Sequence, residues 1–270
     1  MYWGWKAVLT AMTVAAVLLA ARQLGRHVAG LLAGLPVVSA PALMWLVSEQ
    51  GEVVAARSAF GGLAACAAAS AFAMVFALAA RRHGAVGSLA WALLALGVCL
   101  ALLQPLHEHP VTLLLLALGA ALLVWHRLRQ EPRSGGAARA LRGEPWLSAS
   151  VSGVAGAGSA YLATQADPFW SGVAAALPVI CGFALVHLLR TGGPGDVARF
   201  VAGYVPGVAA SAAFLFTFGL LAPWLGAGLS LALAAACGAL LARLGTLPRA
   251  EPARAVPRDL QAAVTLDHPR

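Results

Sequence analysis

The chain has 270 residues, of which 61% are hydrophobic and 10% are charged, and its formal net charge is +8. Soluble domains carry about 25% charged residues, so this composition excludes an ordinary soluble enzyme and a disordered chain. The Arg residues form short clusters between apolar runs, so the positive charge does not indicate a nucleic-acid partner. The composition instead predicts an all-α, polytopic membrane helix bundle that lies in the lipid bilayer.

A membrane-spanning helix needs about 20 mostly apolar residues. On this criterion the sequence predicts nine transmembrane spans. In chain order they cover approximately residues 3–21, 28–48, 58–80, 84–104, 110–126, 148–165, 170–189, 200–222 and 225–243. The sixth span is rich in Gly and Ser, which suits a helix buried among other helices. Totals of eight or ten spans remain as alternatives.

The positive-inside rule orients these spans, because short loops rich in Arg stay in the cytoplasm. With nine spans, 16 of the 18 basic residues fall on one side, and only Lys6 and Arg57 fall on the other. This predicts a multi-pass protein of the bacterial inner membrane with its N-terminus outside and its C-terminus in the cytoplasm. The stronger charge of the first span, Arg22 and Arg26, follows its apolar core, so the sequence predicts an uncleaved helix rather than a signal peptide.

Composition shifts divide the chain into four regions. Residues 1–126 form a first membrane half, made of spans one to four and the additional span five. Residues 127–146 are rich in Arg, Gly and Pro and are predicted to be a cytoplasmic linker, with contact to lipid headgroups as the alternative. Residues 147–244 form a second membrane half, and residues 245–270 form a cytoplasmic disordered tail.

The sequence predicts no metal, no cofactor and no enzymatic activity. The four cysteines lie in apolar runs without CxxC spacing, where Cys usually behaves as a small hydrophobe; they are Cys66, Cys99, Cys181 and Cys237. His107, Glu108 and His109 are residue types that bind metals, but no further ligand cluster accompanies them. No phosphate-binding loop, HExxH motif or Ser-His-Asp spacing occurs in the chain.

An internal repeat links the two membrane halves. Residues 30–61 align without gaps to residues 172–203, and 12 of the 32 positions are identical; we call the constant separation of the two copies the repeat offset. The informative matches are Pro36 with Pro178, Gly51 with Gly193, and Arg57 with Arg199; matches at Ala and Leu carry little weight. The copies are five spans apart, and an odd separation makes them cross the membrane in opposite directions. The sequence therefore predicts an inverted-topology repeat, which many secondary transporters contain.

The repeated prolines indicate where a site would lie. Proline lacks an N–H group and clashes with the preceding turn, so it breaks or kinks a helix. Pro36 and Pro178 each lie eight residues into their span and enter from opposite faces, which places both breaks near the bilayer midplane. Pro41 predicts a second break in the first copy. Discontinuous helices at the midplane of inverted repeats mark substrate sites, although a kink can also merely shape helix packing.

Small, polar and aromatic residues near these prolines complete the predicted substrate path, which comprises Pro36, Ser39, Pro41, Trp45, Pro178, Cys181, Gly182, His187 and Tyr204. Ser39 and Cys181 occupy matching positions one helical turn after each proline. His187 could relay a proton or anchor its helix at the interface. Tight helix packing is the alternative for the whole set, because small residues suit it equally well.

Charged residues at the ends of matching helices are candidate gates. Arg57 and Arg199 open equivalent helices on opposite sides of the membrane. We expect Arg57 to form a salt bridge with Glu49 or Glu52 at the outer mouth. The alternative for Arg199 is that its long side chain simply reaches the cytoplasmic membrane interface.

One stretch of the first copy resembles a known family. The residues AGL, then Pro36, then Glu49-Gln50-Gly51 and Arg57 are similar to the pattern of GlpM-type small bacterial inner-membrane proteins. The resemblance covers about 35 residues, and the Glu-Arg-Gly typical of that family is Glu-Gln-Gly here. It implies a membrane protein and adds no specific chemistry, because the function of that family is not well defined.

The repeat and the paired prolines favour a secondary transporter or permease for a small organic solute. A non-catalytic assembly or envelope-maintenance component is the alternative, and the scarcity of carboxylates within the spans favours it, since ion coupling usually recruits them. A membrane-embedded enzyme that acts on lipid is a third class. The sequence leaves open the substrate, the direction of transport, the coupling ion and the oligomeric state.

Overall fold

The computed structural model describes residues 26–36, 39–129 and 167–246. The predicted spans at 3–21 and 148–165, the bulk of the predicted linker and the tail lie outside these ranges. Within them the chain is helical, and no strand occurs. The helices are α1 (Arg26–Gly34), α2 (Ser39–Gln50), α3 (Glu52–Ala79), α4 (Ala85–Leu103), α5 (Pro110–Arg129), α6 (Pro168–Ala176), α7 (Val179–Thr191), α8 (Pro194–Leu225) and α9 (Ala227–Thr246), with a short 3₁₀ turn at Gln104–Leu106.

Six helical segments of the described residues are long and apolar enough to cross a membrane. They are Gly30–Gln50, Glu52–Ala79, Ala85–Leu106, Pro110–Leu128, Pro168–Thr191 and Pro194–Leu225, and Ala227–Arg243 is a shorter apolar helix. This confirms the predicted all-helical class and suits a membrane-embedded protein. The total of nine spans stays a prediction.

Two of these segments are each broken into a pair of short helices. The first break follows Gly34 and includes Pro36, and the second consists of Leu177 and Pro178. Proline explains both breaks, since it cannot continue the hydrogen-bond ladder of the preceding turn. Pro41, in contrast, lies in the first turn of α2, where an N–H group has no partner within the helix. The expected second break at Pro41 is therefore wrong.

The helix boundaries repeat at the same offset as the sequence. The starts of α1 and α6, of α3 and α8, and of α4 and α9 are each separated by the repeat offset. The residues before α3 and α8 are Gly51 and Gly193, with φ angles of 87° and 86°. Positive φ favours glycine because it has no Cβ. The correspondence of helix starts therefore extends beyond the 32 aligned residues to α4 and α9.

The long helices α3 and α8 pack antiparallel at the centre of the molecule. A Cβ atom at Gly219 would lie 2.5 Å from the Phe60 ring, and one at Gly62 would lie 2.9 Å from the Leu215 side chain. Contacts therefore run forward along α3 and backward along α8. Four aromatic side chains of these two helices are fully buried; they are Phe72, Phe76, Phe214 and Phe218.

The outer helices bury one face and expose the other. On α5, the buried residues recur at helical spacing, and this face packs against both α3 and α8; they are Leu113, Ala117, Ala121 and Val124. Large apolar side chains such as Leu115 and Leu122 are exposed on the other faces of α5. The same holds for Trp91 on α4 and Leu229 on α9. Such surfaces suit contact with lipid, which replaces water around a membrane protein.

The helices run between two ends of the molecule. The "Glu52 end" comprises residues 49–52, 104–110, 167–168 and 225–227. The "Arg82 end" comprises residue 26 and residues 79–85, 127–129, 190–194 and 243–246. At the Glu52 end the His107 and Phe169 rings meet edge to face at 6.1 Å. Among the described arginines, only Arg57 lies near the Glu52 end, so the other eight lie toward the Arg82 end.

Candidate functional site

The two helix breaks lie against each other. The Ser39 hydroxyl, on the first residue of α2, donates to the carbonyl oxygen of Ala175 at 3.1 Å, and Ser39 is buried. Ala175 lies in the last turn of α6, directly before the second break. The buried side chain of Ala42 also packs against Ala175. The structure thus places Ser39 between the two breaks.

The helix ends at this contact have complementary partial charges. The N-terminus of a helix carries a partial positive charge and its C-terminus a partial negative charge. The N-terminus of α2 meets the C-terminus of α6, and the equivalent helices α7 and α1 are also in contact. Two breaks can therefore face each other without a formally charged side chain between them.

A serine on α8 satisfies the carbonyl at the first break. The Ser211 hydroxyl donates to the carbonyl oxygen of Gly34 at 2.6 Å, and Ser211 is buried. Gly34 ends α1, where the missing next turn frees backbone acceptors. The residue equivalent to Ser211 in the first copy, one repeat offset earlier, is Ala69, which has no hydroxyl. The two breaks therefore differ in the side chains available to them.

Reciprocal glycine contacts hold the broken helices against the long ones. A Cβ atom at Gly30 would lie 2.1 Å from the carbonyl oxygen of Phe200, and one at Gly172 would lie 1.6 Å from that of Ser58. Gly172 lies one repeat offset after Gly30, and Phe200 lies one repeat offset after Ser58. Thus α1 packs on α8 at the position equivalent to that at which α6 packs on α3. Only glycine allows so close an approach to a backbone.

Cys181, Gly182 and Tyr204 are brought together beside the second break. Cys181 and Tyr204 are buried, and the Tyr204 hydroxyl lies close enough to the Cys181 thiol to interact with it. A Cβ atom at Gly182 would meet only the tip of the Phe72 ring, at 3.5 Å, which is ordinary van der Waals contact. The position of Gly182 therefore tolerates a small side chain, unlike Gly30 and Gly172. These three residues of the predicted path are therefore neighbours in the structure, and a path through them stays a prediction.

Trp45 and His187 lie farther from the breaks. Both side chains are partly buried, and each lies several residues into its helix, Trp45 toward the Glu52 end and His187 toward the Arg82 end. At about 1.5 Å per residue they are roughly 9–12 Å along the helix from its first residue. Their carbonyls accept bonds from Ser48 at 2.7 Å and from Thr191 at 2.9 Å. Both residues therefore lie about two helical turns from the breaks.

The candidate gates have partners other than those expected. Glu52 Oε1 accepts a hydrogen bond from the backbone N–H of Ala227 at 2.9 Å. Arg57 is exposed, and in the described part of the chain no ion pair joins it to Glu49 or Glu52. The structure therefore does not contain the salt bridge expected for Arg57. The cause is geometric, because Arg57 lies on an exposed face of α3 whereas Glu52 turns toward α9.

Arg199 pairs within its own helix. Its guanidinium contacts the Asp196 carboxylate, and its Nε–H donates to the carbonyl oxygen of Gly195 at 3.3 Å. Asp196 is buried and lies against Gly192, so it packs on the connection between α7 and α8. A carboxylate in the first turn stabilises a helix through the helix dipole. This contact favours a structural role for Arg199 at the Arg82 end.

Sequence reasoning missed Asp196, Ser211 and Pro206. Pro206 lies buried inside α8, two residues after Tyr204, and the helix continues through it. A proline in the apolar run at 200–222 was a visible signal for an irregular backbone next to the predicted site. Ser211 had no such signal, because a hydroxyl in an Ala-rich helix usually bonds to its own preceding turn. Ser70 does so here, with the carbonyl oxygen of Cys66.

Among the residues the structure describes, no group of three or more His, Cys, Asp or Glu side chains could hold a metal ion. His107 and Glu108 are exposed and lie 3.8 Å apart. The His107 Nδ1 is 3.0 Å from the carbonyl oxygen of Gln104, within its own turn.

No family model fits the chain, and no curated protein or solved structure matches it. The resemblance to GlpM-type proteins stays a prediction.

Proposed function

We propose that the two membrane halves form an inverted-topology repeat, and that the protein is a secondary permease for a small organic solute. The observation that carries this proposal is the meeting of two broken helices, through Ser39 and Ala175. Irregular backbone at membrane depth is tolerated where protein or a water-filled cavity surrounds it, and in transporters such breaks bind substrate.

The antiparallel packing of α3 on α8 supports the inverted arrangement. The starts of these helices are separated by the repeat offset, so the helices are equivalent in the repeat, yet they run in opposite directions. A twofold relation requires reciprocal contacts, in which each copy presents the same surface to the other. The contacts of Gly30 and Gly172 have this reciprocity. The axis would lie in the membrane plane, with α5 between the halves.

The charge distribution supports an orientation with the Arg82 end in the cytoplasm. Eight of the nine described arginines lie toward that end. Positive residues are retained on the cytoplasmic side during insertion. The Glu52 end then faces outside, in the inner membrane of a bacterium.

The groups at the breaks suit a neutral solute. They are the Ser39 and Tyr204 hydroxyls, the Cys181 thiol and backbone carbonyls such as Ala175. These groups donate and accept hydrogen bonds but carry no formal charge, whereas a charged solute would favour an opposite charge nearby. At Gly182 beside them, an added Cβ would make only ordinary contact with the Phe72 ring, at 3.5 Å, so a larger side chain there would crowd these groups.

Access of water to Cys181 tests the proposal. Inside-out and right-side-out membrane vesicles are treated with a small charged methanethiosulfonate reagent, and mass spectrometry of peptides identifies each modified cysteine. We expect Cys181 to react from at least one side, because transport needs an aqueous path to the breaks. We expect Gly182→Leu to block this reaction, while the protein still inserts and accumulates.

The native cysteines supply the controls. Cys237 is exposed on α9, on a face that would contact lipid, so a charged reagent should not modify it. Cys181→Ser should remove the signal assigned to Cys181. If Cys181 does not react from either side in folded protein, the permease proposal fails, and a non-catalytic membrane component becomes the better account.

A further inference from the structure

A hydrogen bond joins the two halves at the Glu52 end. Glu52 is the first residue of α3 and is partly buried, and its carboxylate accepts from the N–H of Ala227, the first residue of α9. The two residues are 175 positions apart in the chain. A carboxylate at a helix N-terminus makes a charge-assisted bond and also benefits from the helix dipole.

The equivalent place at the Arg82 end lacks such a bond. The residue one repeat offset after Glu52 is Pro194, which has no side-chain acceptor. The helix equivalent to α9 is α4, whose N-cap is Gly84 and whose start has no side-chain cap. Equivalent helices therefore begin at both ends of the molecule. Of the two equivalent positions, 52 and 194, only Glu52 has a carboxylate that can bond to the other half.

The charged residues around Glu52 do not replace this bond. On α2 the nearest is Glu49, which is exposed, and on α3 the nearest is Arg57, also exposed. On α9 the one described charge is Arg243, at the Arg82 end, and the charges of α8, Asp196 and Arg199, lie at that end too. The N–H of Ala227 is thus the partner that positions the Glu52 carboxylate.

We propose that Glu52 is a latch that holds the two halves together at the Glu52 end. The bond keeps the Glu52 end closed in this structure, and release of the latch opens that end. This inference rests on the proposed function in one respect only, namely that the opening is a step of transport. The opening itself can be measured without a solute.

Two equivalent serines provide matched probes for the opening. Ser230 lies in the first turn of α9 and Ser88 in the first turn of α4, both have 0% exposure, and they are related by the repeat offset. Their N–H groups bond to the carbonyl oxygens of Gly226 and Gly84, whereas their hydroxyls differ: that of Ser88 donates to the carbonyl oxygen of His83 at 3.4 Å, and that of Ser230 has no partner among the described residues. Ser230→Cys and Ser88→Cys are near-isosteric changes that report access at the two ends.

The full-length protein is reconstituted in lipid nanodiscs, and the small charged methanethiosulfonate reagent is added. Peptide mass spectrometry gives the modification rate at each introduced cysteine. Combined with Ser230→Cys, the latch variant Glu52→Ala should raise the rate by about tenfold, because a hydrogen bond to a charged group shifts an equilibrium by at least that factor. With Ser88→Cys, the same variant should leave the rate unchanged. Glu108→Ala, which removes an exposed carboxylate from the same end, should change neither rate.

Equal rates at Ser230→Cys with and without Glu52→Ala would overturn the latch, and so would an equal increase at both probes, which indicates general loosening. If Glu52→Ala does not accumulate in folded form, Glu52→Leu decides by the same comparison, since it fills a similar volume but has no acceptor for the N–H of Ala227. A selective increase at position 230 together with an unreactive Cys181 would support the latch and refute the permease, so the two failures are distinguishable.

Discussion

Replacing Gly172 with Ala tests the close contact between α6 and α3. The new Cβ would lie 1.6 Å from the carbonyl oxygen of Ser58 and 2.8 Å from the backbone nitrogen of Gly62. Ordinary Cβ contacts are 3.4–4 Å long, so the helices must separate by about 2 Å. The obstacle is backbone, which cannot rotate away as a side chain can.

The expected cost follows from two opposing effects. Overpacking of a tight interface costs about 1–3 kcal/mol or more. Ala is a better helix former than Gly by about 0.5–1 kcal/mol, which offsets part of that cost. Gly97 and Gly119 supply matched controls, because a Cβ atom at either would meet nothing within 4 Å. The helix-propensity gain is the same in Gly97→Ala and cancels in the comparison, so relative to that control Gly172→Ala should lower the free energy of unfolding by about 1–3 kcal/mol.

The assay is unfolding of the purified variants in mixed micelles by increasing amounts of a denaturing detergent, followed by circular dichroism and tryptophan fluorescence. Gly30→Ala is the equivalent variant in the first copy, where the Cβ would lie 2.1 Å from the carbonyl oxygen of Phe200. Gly30→Ala should also be less stable than the control Gly97→Ala. If Gly172→Ala is as stable as Gly97→Ala, the close approach of α6 to α3 is refuted; if only one of the two repeat glycines is sensitive, the reciprocity is refuted.

Two further predictions concern the break and the topology. Ser211→Ala should lower the free energy of unfolding by about 1–3 kcal/mol, because it leaves the buried carbonyl of Gly34 without its 2.6 Å hydrogen bond. The control is Ser70→Ala, which should cost much less in the same assay because the Ser70 hydroxyl bonds within its own helix. Equal costs for the two variants would contradict the special role of Ser211. Reporter fusions at Glu52 and Gly193 should report opposite sides of the membrane, and the same side for both would refute the inverted repeat.

Much of the local architecture could be predicted from the sequence. The breaks near Pro36 and Pro178 follow from the missing N–H of proline, a covalent property that acts within one helical turn. The repeat is visible from identities at proline, glycine and arginine, and the matched Gly51 and Gly193 both have positive φ angles. The expectation for Pro41 fails because the effect of a proline depends on where the helix begins: in a first turn, no bond is lost.

The partners of the site residues depend on contacts between residues far apart in the chain, which no local pattern encodes. Ser70 and Ser211 stand in similar Ala-rich surroundings, yet one bonds its own helix and the other bonds Gly34 at the break. Glu52 was expected to pair with nearby Arg57, but the antiparallel packing of α3 on α8 brings the start of α9 to its carboxylate. The apolar helices, their breaks and their repetition follow from the order of the amino acids, because they depend on side-chain hydropathy and backbone chemistry. Which groups meet at the breaks and at the two ends depends on how the helices pack, because packing brings together residues that are far apart in the chain.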